Sequence, residues 1–338
     1  MKVLVTGGGG YIGTTLVPML LDEGHNVTVI DRFFFGKEKI KIHKNLELIT
    51  DDSRLLKEDY FEGIDAVIDL VAISNDPSGE TFKNETFEIN HISRVRTAQI
   101  AKKMGVKKYI LPSTCSIYGF QDQNTIADEN TKTNPLTTYA KANEKAEQGV
   151  LPLSDNNFCV TVLRQSTVYG YSPRMRFDLA INGMTYGAWK TGKLPLMRDG
   201  TQWRPMVHVS DTAAAQIFML TAKDEDINGE IFNVGSSENL YQLKDLAEKV
   251  KDIIGNVDIE WYGEADHRSY RVNFGKIESI GFKAVKNAEY GITEILQKLN
   301  AKELDKTPDT ITLDWYKLII EWNERLGALG NFKGILKL

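Results

Sequence analysis

The 338 residues carry 41 Lys and Arg against 46 Asp and Glu, a formal charge of −5, and 42% of the positions are hydrophobic. That balance supports a sizeable core, and it lacks the concentrated positive face that nucleic-acid binding needs. Cys115 and Cys159 are too few for a disulfide framework and lack metal-ligand spacing, so a reducing compartment is expected and no metal site follows.

The apolar run Val3-Leu4-Val5 is cut by Thr6 and a string of glycines, so neither a secretory leader nor a membrane contact is expected, and the expected location is cytoplasmic. Short apolar runs at 2–6, 26–30, 46–49, 65–71 and 107–111 alternate with helix-period segments at 12–22 and 86–104. Runs of that length read as parallel strands buried on both faces, with crossover helices between them. The pattern resumes with a helix near Thr137, strands at 159–163 and around 206–209, a helix from Asp211 and a strand at 231–234.

The fold class expected is therefore α/β, a doubly wound parallel sheet with a smaller mixed α/β lobe. The sheet domain is assigned to 1–170 plus about 205–235, the second lobe to about 171–204 and 236–300, and a C-terminal helical extension to 301–338. Within that extension Trp315, Tyr316, Leu318, Ile319, Ile320 and Trp322 form an amphipathic pattern suited to packing on the body.

Gly7, Gly10 and Gly13 follow the first strand and open a helix, with Tyr11 and Ile12 between them. Glycines there let the backbone turn tightly and approach a diphosphate at the helix N-terminus, where free N–H groups stabilise negative charge. Asp31 ends the second strand, where a carboxylate accepts hydrogen bonds from the adenosine ribose and repels a 2′-phosphate. This Rossmann-type arrangement points to NAD over NADP, a preference that the adjacent Arg32 weakens. Asp52 and Ser53 follow the third strand, where the aspartate either meets the adenine amino group or simply forms a turn.

Further along stand Ser113-Thr114-Cys115-Ser116-Ile117-Tyr118-Gly119, Tyr139 after Pro135-Leu136-Thr137-Thr138, Thr167-Val168-Tyr169-Gly170, and Arg204-Pro205-Met206-Val207-His208-Val209-Ser210-Asp211. With the glycine motif, this series resembles the extended short-chain dehydrogenase/reductase superfamily, in its nucleotide-sugar epimerase/dehydratase branch, over roughly residues 1–285. The resemblance implies NAD as cofactor and a nucleotide-diphosphate sugar as substrate. It implies Tyr139 as general base, taking a proton from a sugar hydroxyl that Thr114 orients. It also adds Val71, Asn90 and Asn143 to the residues expected around the cofactor.

Two departures matter. The family carries lysine one helical turn after the tyrosine, where it binds the nicotinamide ribose and lowers the phenol's pKa; this chain has Asn143. Lys141 and Lys145 lie off the Tyr139 face of an ideal helix, by roughly 160° and 120°. Altered hydride chemistry, a helix distortion that presents Lys141, and a deliberate substitution all remain open. The family's dehydratases and some decarboxylases carry an acid just after the threonine, where this chain has Cys115 and Ser116, so elimination is disfavoured.

For the substrate, the resemblance implies Arg204 and Arg268 on phosphate and Asn182 on its helix. Ser74 follows the fourth strand at its carboxyl end, where it either touches the sugar or belongs to a plain Asn-Asp-Pro turn. Arg174 and Arg176 either read an anionic sugar or close the two lobes by salt bridges, and His208 is expected to be structural. The activity expected is transient oxidation of a ring hydroxyl, at C4, followed by return of the hydride as an epimerase. The alternatives are a net sugar-nucleotide dehydrogenase or ketoreductase, and a binding protein impaired by Asn143. The resemblance also implies a homodimer built on the helices that begin near Thr86 and Thr137.

Overall fold

The apolar runs form seven strands: β1 (Lys2–Thr6), β2 (Asn26–Asp31), β3 (Leu46–Thr50), β4 (Ala66–Asp69), β5 (Lys108–Thr114), β6 (Cys159–Gln165) and β7 (Glu230–Val234). In this computed structural model, which describes residues 1–122, 125–197, 199–263 and 269–328, they make one parallel sheet in the order β7-β6-β5-β4-β1-β2-β3. The order reverses between β1 and β4, which opens a crevice at their carboxyl ends, the place where ligands gather in open α/β sheets.

Alternate residues of each strand feed the two faces. Val3, Val5, Val27, Val29 and Ile68 pack with Leu16, Val17 and Leu20 of α1 (Gly13–Asp22) and with Ala213 and Ile217 of the helix Val209–Thr221. Leu4, Ile30, Val67, Leu111 and Val162 face Ala98 and Ala101 of α2 (Arg94–Lys103) and Ala146 and Val150 of α3 (Thr138–Val150). Both faces are dry, which is why these strands read as continuous apolar runs.

Two expectations change. The run around 206–209 does not join the main sheet, because β7 already occupies the outer edge of β6 through pairs such as Ile231 with Val162. The strand Trp203–His208 instead pairs in parallel with Thr167–Tyr169 and antiparallel with Leu240–Gln242. The helix expected over 86–104 is interrupted: Lys83–Phe87 runs into a π-helical turn, Glu88–Ser93, before α2 begins. Such widened turns cluster at functional sites, and this one leaves Asn90, Ser93 and Arg94 all buried.

The C-terminal pattern forms α4 (Thr312–Ala328), which packs on the body: Trp315 Nε1 donates to the Phe34 carbonyl at 2.6 Å, and Tyr316 packs against Phe34, Phe35 and Phe82.

Beneath α3 lies a buried ion pair. Arg164 of β6 donates from Nη2 to Glu147 Oε2 at 2.8 Å, and its Nε lies 3.2 Å from both carboxylate oxygens. Removing one partner of such a pair leaves an uncompensated charge. Urea unfolding of Glu147→Ala is expected to show a loss of about 3–5 kcal/mol, against about 0.5 kcal/mol or less for the exposed Glu324→Ala. Equal losses would contradict the pairing.

Candidate active site

The crevice widens into a cavity of about 960 Å³, at the upper end of the range for ligand sites. One end is the glycine loop. Gly7 has φ +69°, and a Cβ there would stand 2.6 Å from the Val71 amide nitrogen; one on Gly13 would stand 2.4 Å from the Gly8 carbonyl oxygen. Backbone is the obstacle in both cases, so only glycine fits. The first turn of α1 has no side-chain cap, and Gly10, Tyr11, Ile12 and Gly13 line the cavity. A helix start with free amides attracts anions, and these residues fit a dinucleotide diphosphate.

Asp31 adjoins the glycine loop. Its Oδ2 accepts from the Gly9 amide at 2.9 Å and its Oδ1 from the Phe33 amide at 2.6 Å. Burial pushes its carboxyl above the usual range against the pull of those amides. Such a fixed, desolvated acceptor suits ribose hydroxyls. Asp52 also lines the cavity, but Arg54 and Arg32 engage both of its oxygens, the Arg54 hydrogen bond foremost in drawing it down to about 2. Arg32 thus turns toward Asp52 and stacks over Phe34 at 5.0 Å. Ser53 lines the wall, its hydroxyl 3.3 Å from that of Ser93. Asn90 is fully buried outside the cavity wall, clamping Ile73 by accepting from its amide at 2.8 Å and donating to its carbonyl at 3.0 Å.

At the other end, Thr114 closes β5 and caps the turn Cys115–Tyr118, its Oγ1 accepting from the Ser116 amide at 3.1 Å. Tyr139 enters from the first turn of α3, which Thr137 caps by accepting from the Ala140 amide. Thr114, Ser116 and Tyr139 all line the cavity. Burial raises the Tyr139 phenol, and Asp76 adds to the rise; Arg94, a hydrogen bond with Thr114, and Arg176 pull it back. Cys115 points away, its thiol donating to the Arg164 carbonyl, and burial pushes that thiol up, so it is no nucleophile.

Asn143 lies one turn along from Tyr139. Its Nδ2 donates to the Tyr139 carbonyl at 2.9 Å, and its Oδ1 accepts from Arg94 Nη1 at 3.0 Å. The helix α3 is undistorted and Lys141 and Lys145 are exposed, so no helix distortion presents Lys141. Sequence reasoning missed Arg94. The available signal was its position, four residues from both Asn90 and Ala98 on the buried stripe of its helix.

The substrate-side expectations divide. Ser74 lines the cavity, and Arg176 Nη1 reaches its hydroxyl at 3.2 Å. Arg176 also lines the cavity and is forked onto Asp178 at 2.9 and 2.8 Å, and Asp178 in turn accepts from Asn75. Arg174 lies 3.7 Å over Phe35 and donates to Thr312; burial lowers it to about 10. Arg204 lines the cavity over Tyr270 and donates to the Trp203 carbonyl. Asn182 does not reach the cavity. It is fully buried, with its amide spent on Gly170, Tyr11 and Arg176, and it orders the wall from behind. His208 is structural, bonded to Ser210 and Glu294. Arg268 lies outside the described residues.

With this geometry in place, the chain belongs to the NAD-dependent epimerase/dehydratase family, whose model matches residues 3–235. It is 29% identical over 308 residues to the UDP-N-acetyl-alpha-D-glucosaminuronate decarboxylase of Bacillus cytotoxicus, covering 87% of this chain and 90% of that one. It is 30% identical over 278 residues to an uncharacterized UDP-glucose epimerase of Bacillus subtilis, covering 75% and 83%. Its fold matches the UDP-glucuronic acid 4-epimerase of Bacillus cereus, solved with UDP-glucuronic acid and NAD, at a TM-score of 0.79 and 22% identity over 88% and 99% of the two chains. The cofactor is NAD and the protein is an enzyme of this family. Among the described residues no helix is long and apolar enough to cross a membrane.

Gly7→Ala forces a Cβ into the Val71 backbone at a left-handed φ. Calorimetric titration with NAD is expected to show at least a tenfold weaker affinity than in the parent, about 1.4 kcal/mol. Unchanged affinity would contradict binding at the glycine loop.

Proposed function

We propose that this enzyme epimerises a nucleotide-diphosphate sugar by transient oxidation at C4, as a cytoplasmic homodimer that pairs through α2, α3 and the helical turns before α2. One observation carries the choice among the family's reactions. Thr114 and Tyr139 share the cavity wall, while the two positions after Thr114, which hold an acid in the family's dehydratases, are a buried inward-turned cysteine and a serine. The pair suffices to move one proton to and from one hydroxyl, and those two positions add no second acid for elimination.

In this reading the sheet domain holds the cofactor on Gly7, Gly10, Tyr11, Ile12, Gly13, Asp31 and Val71. Bound there, NAD would supply a reversible hydride acceptor for the sugar carbon. Tyr139 takes the C4 hydroxyl proton as the carbonyl forms and gives it back on reduction. Thr114, at the carboxyl end of β5, holds that oxygen in place. Ser74 contacts the sugar, and Arg204 meets the diphosphate with the planar fork suited to phosphate oxygens. Arg204 stands on the strand Trp203–His208, outside the main sheet, so in this reading the sugar is held between the two parts and turns its other face before reduction.

Purified protein of known cofactor content, incubated with UDP-glucose, UDP-glucuronic acid and their N-acetylated counterparts, is expected to yield a C4-inverted sugar with no net NADH. Stoichiometric NADH, or release of carbon dioxide, would replace this reading by dehydrogenation or decarboxylation. Tyr139→Phe is expected to lower kcat by about 10²–10⁴ with KM little changed. A variant as active as the parent would remove Tyr139 from the mechanism.

A further inference from the structure

The family's lysine is absent, yet a cation stands beside the place it would occupy. Arg94 is 1% exposed and held from three sides. Its Nη2 donates to the carbonyls of Asp69 at 2.7 Å and Pro112 at 2.6 Å, which fastens it to β4 and β5. Its Nη1 donates to Asn143, whose amide donates in turn to the Tyr139 carbonyl. We propose that Arg94 supplies the positive charge that keeps Tyr139 usable as a base, with Asn143 as the neutral link that lets the guanidinium lie against α3. Arg94 is thus a positioning residue, and the proposal rests on the reading of Tyr139 as the base.

The orientation of the charge supports this. Asp69, the buried counterion, meets Arg94 only through Nε, at 3.5 Å from its Oδ2, and its oxygens accept from the hydroxyls of Thr6 and Tyr109. The Asp69 carboxylate is thus held by β1 and β5, while the guanidinium turns Nη2 to the carbonyls of β4 and β5 and Nη1 to Asn143 on α3, the helix that carries Tyr139. Away from water, such a charge acts over longer distances than an exposed one. A lysine at 143 would bring a second buried cation against the first, so asparagine there and arginine at 94 form a matched exchange.

The other charged groups facing Tyr139 do not replace Arg94. Asp76, at the start of the helix Asp76–Thr81, raises the phenol; Arg176 is forked onto Asp178; Thr114 offers only a hydroxyl. Of the groups that lower the phenol, Arg94 acts most strongly, ahead of Thr114 and Arg176.

The test compares Arg94→Gln with Arg94→Lys, which both lose the guanidinium fork but differ in charge. Protein labelled with ¹³Cζ-tyrosine, its Tyr139 resonance assigned through Tyr139→Phe, is titrated without substrate, so the result stands whether or not a sugar is turned over. Arg94→Lys is expected to titrate near the parent. Arg94→Gln is expected to titrate about one pH unit or more higher, a tenfold loss of phenolate at neutral pH, and the acidic limb of kcat moves the same way. Equal titrations in the two variants overturn the proposal. Should Arg94→Gln fail to fold, the double variant Arg94→Gln/Asn143→Lys decides. Tyr139 titrating as in the parent supports the exchange; a shifted titration, or a double variant that does not fold, overturns it.

Discussion

Much of the architecture converges on one buried guanidinium. Arg94 bonds the last residue of β4, the middle of β5 and the side chain of Asn143 on α3, while its counterion Asp69 holds hydroxyls from β1 and β5. Three strands and two helices therefore share a single polar node at the carboxyl edge of the sheet. Such a node is no cheap source of stability, because burying the charges costs about as much as their attraction returns. What it fixes is register. Val71, against which Gly7 packs, lies two residues past Asp69, and Thr114 lies two residues past Pro112. The glycine loop and the wall that carries Tyr139 are thus set by the same contacts.

Around that node the cavity is completed from distant parts of the chain. The family model ends at residue 235, yet Tyr262, Tyr270, Tyr316, Ile319 and Ile320 line the same space. Tyr316 comes from α4, which the Phe34 carbonyl and the rings of Phe34, Phe35 and Phe82 hold against the loop after β2. Burial raises the Tyr316 phenol, and Arg174 foremost opposes that rise. The C-terminal helix is therefore part of the cavity wall beside the loop that follows β2.

The strands and the glycine loop were legible because their signals are local. Five of the expected runs coincide with β1 to β5 to within a few residues, and Gly7 and Gly13 sit where backbone leaves no room for a side chain. Long-range pairing was not legible. The strand Trp203–His208 resembles a member of the main sheet in pattern, and only the prior claim of β7 on the edge of β6 sends it elsewhere. Asn182 followed a family position, but its amide is used up by the wall that it orders. Asn143 looked like a defect because its meaning lies in Arg94, 49 residues earlier in the chain. No window of sequence pairs the two; the π-helical turn and the packing of α2 on α3 do.

In the proposed reaction hydride leaves and re-enters the same sugar carbon while Tyr139 moves only the hydroxyl proton. The most direct measurement uses UDP-glucose and UDP-glucuronic acid deuterated at C4, with the product's label located by NMR in ordinary water. The proposed reaction gives a C4-inverted product that keeps its deuterium at C4. Deuterium lost to solvent, or solvent hydrogen appearing at C5, would contradict it.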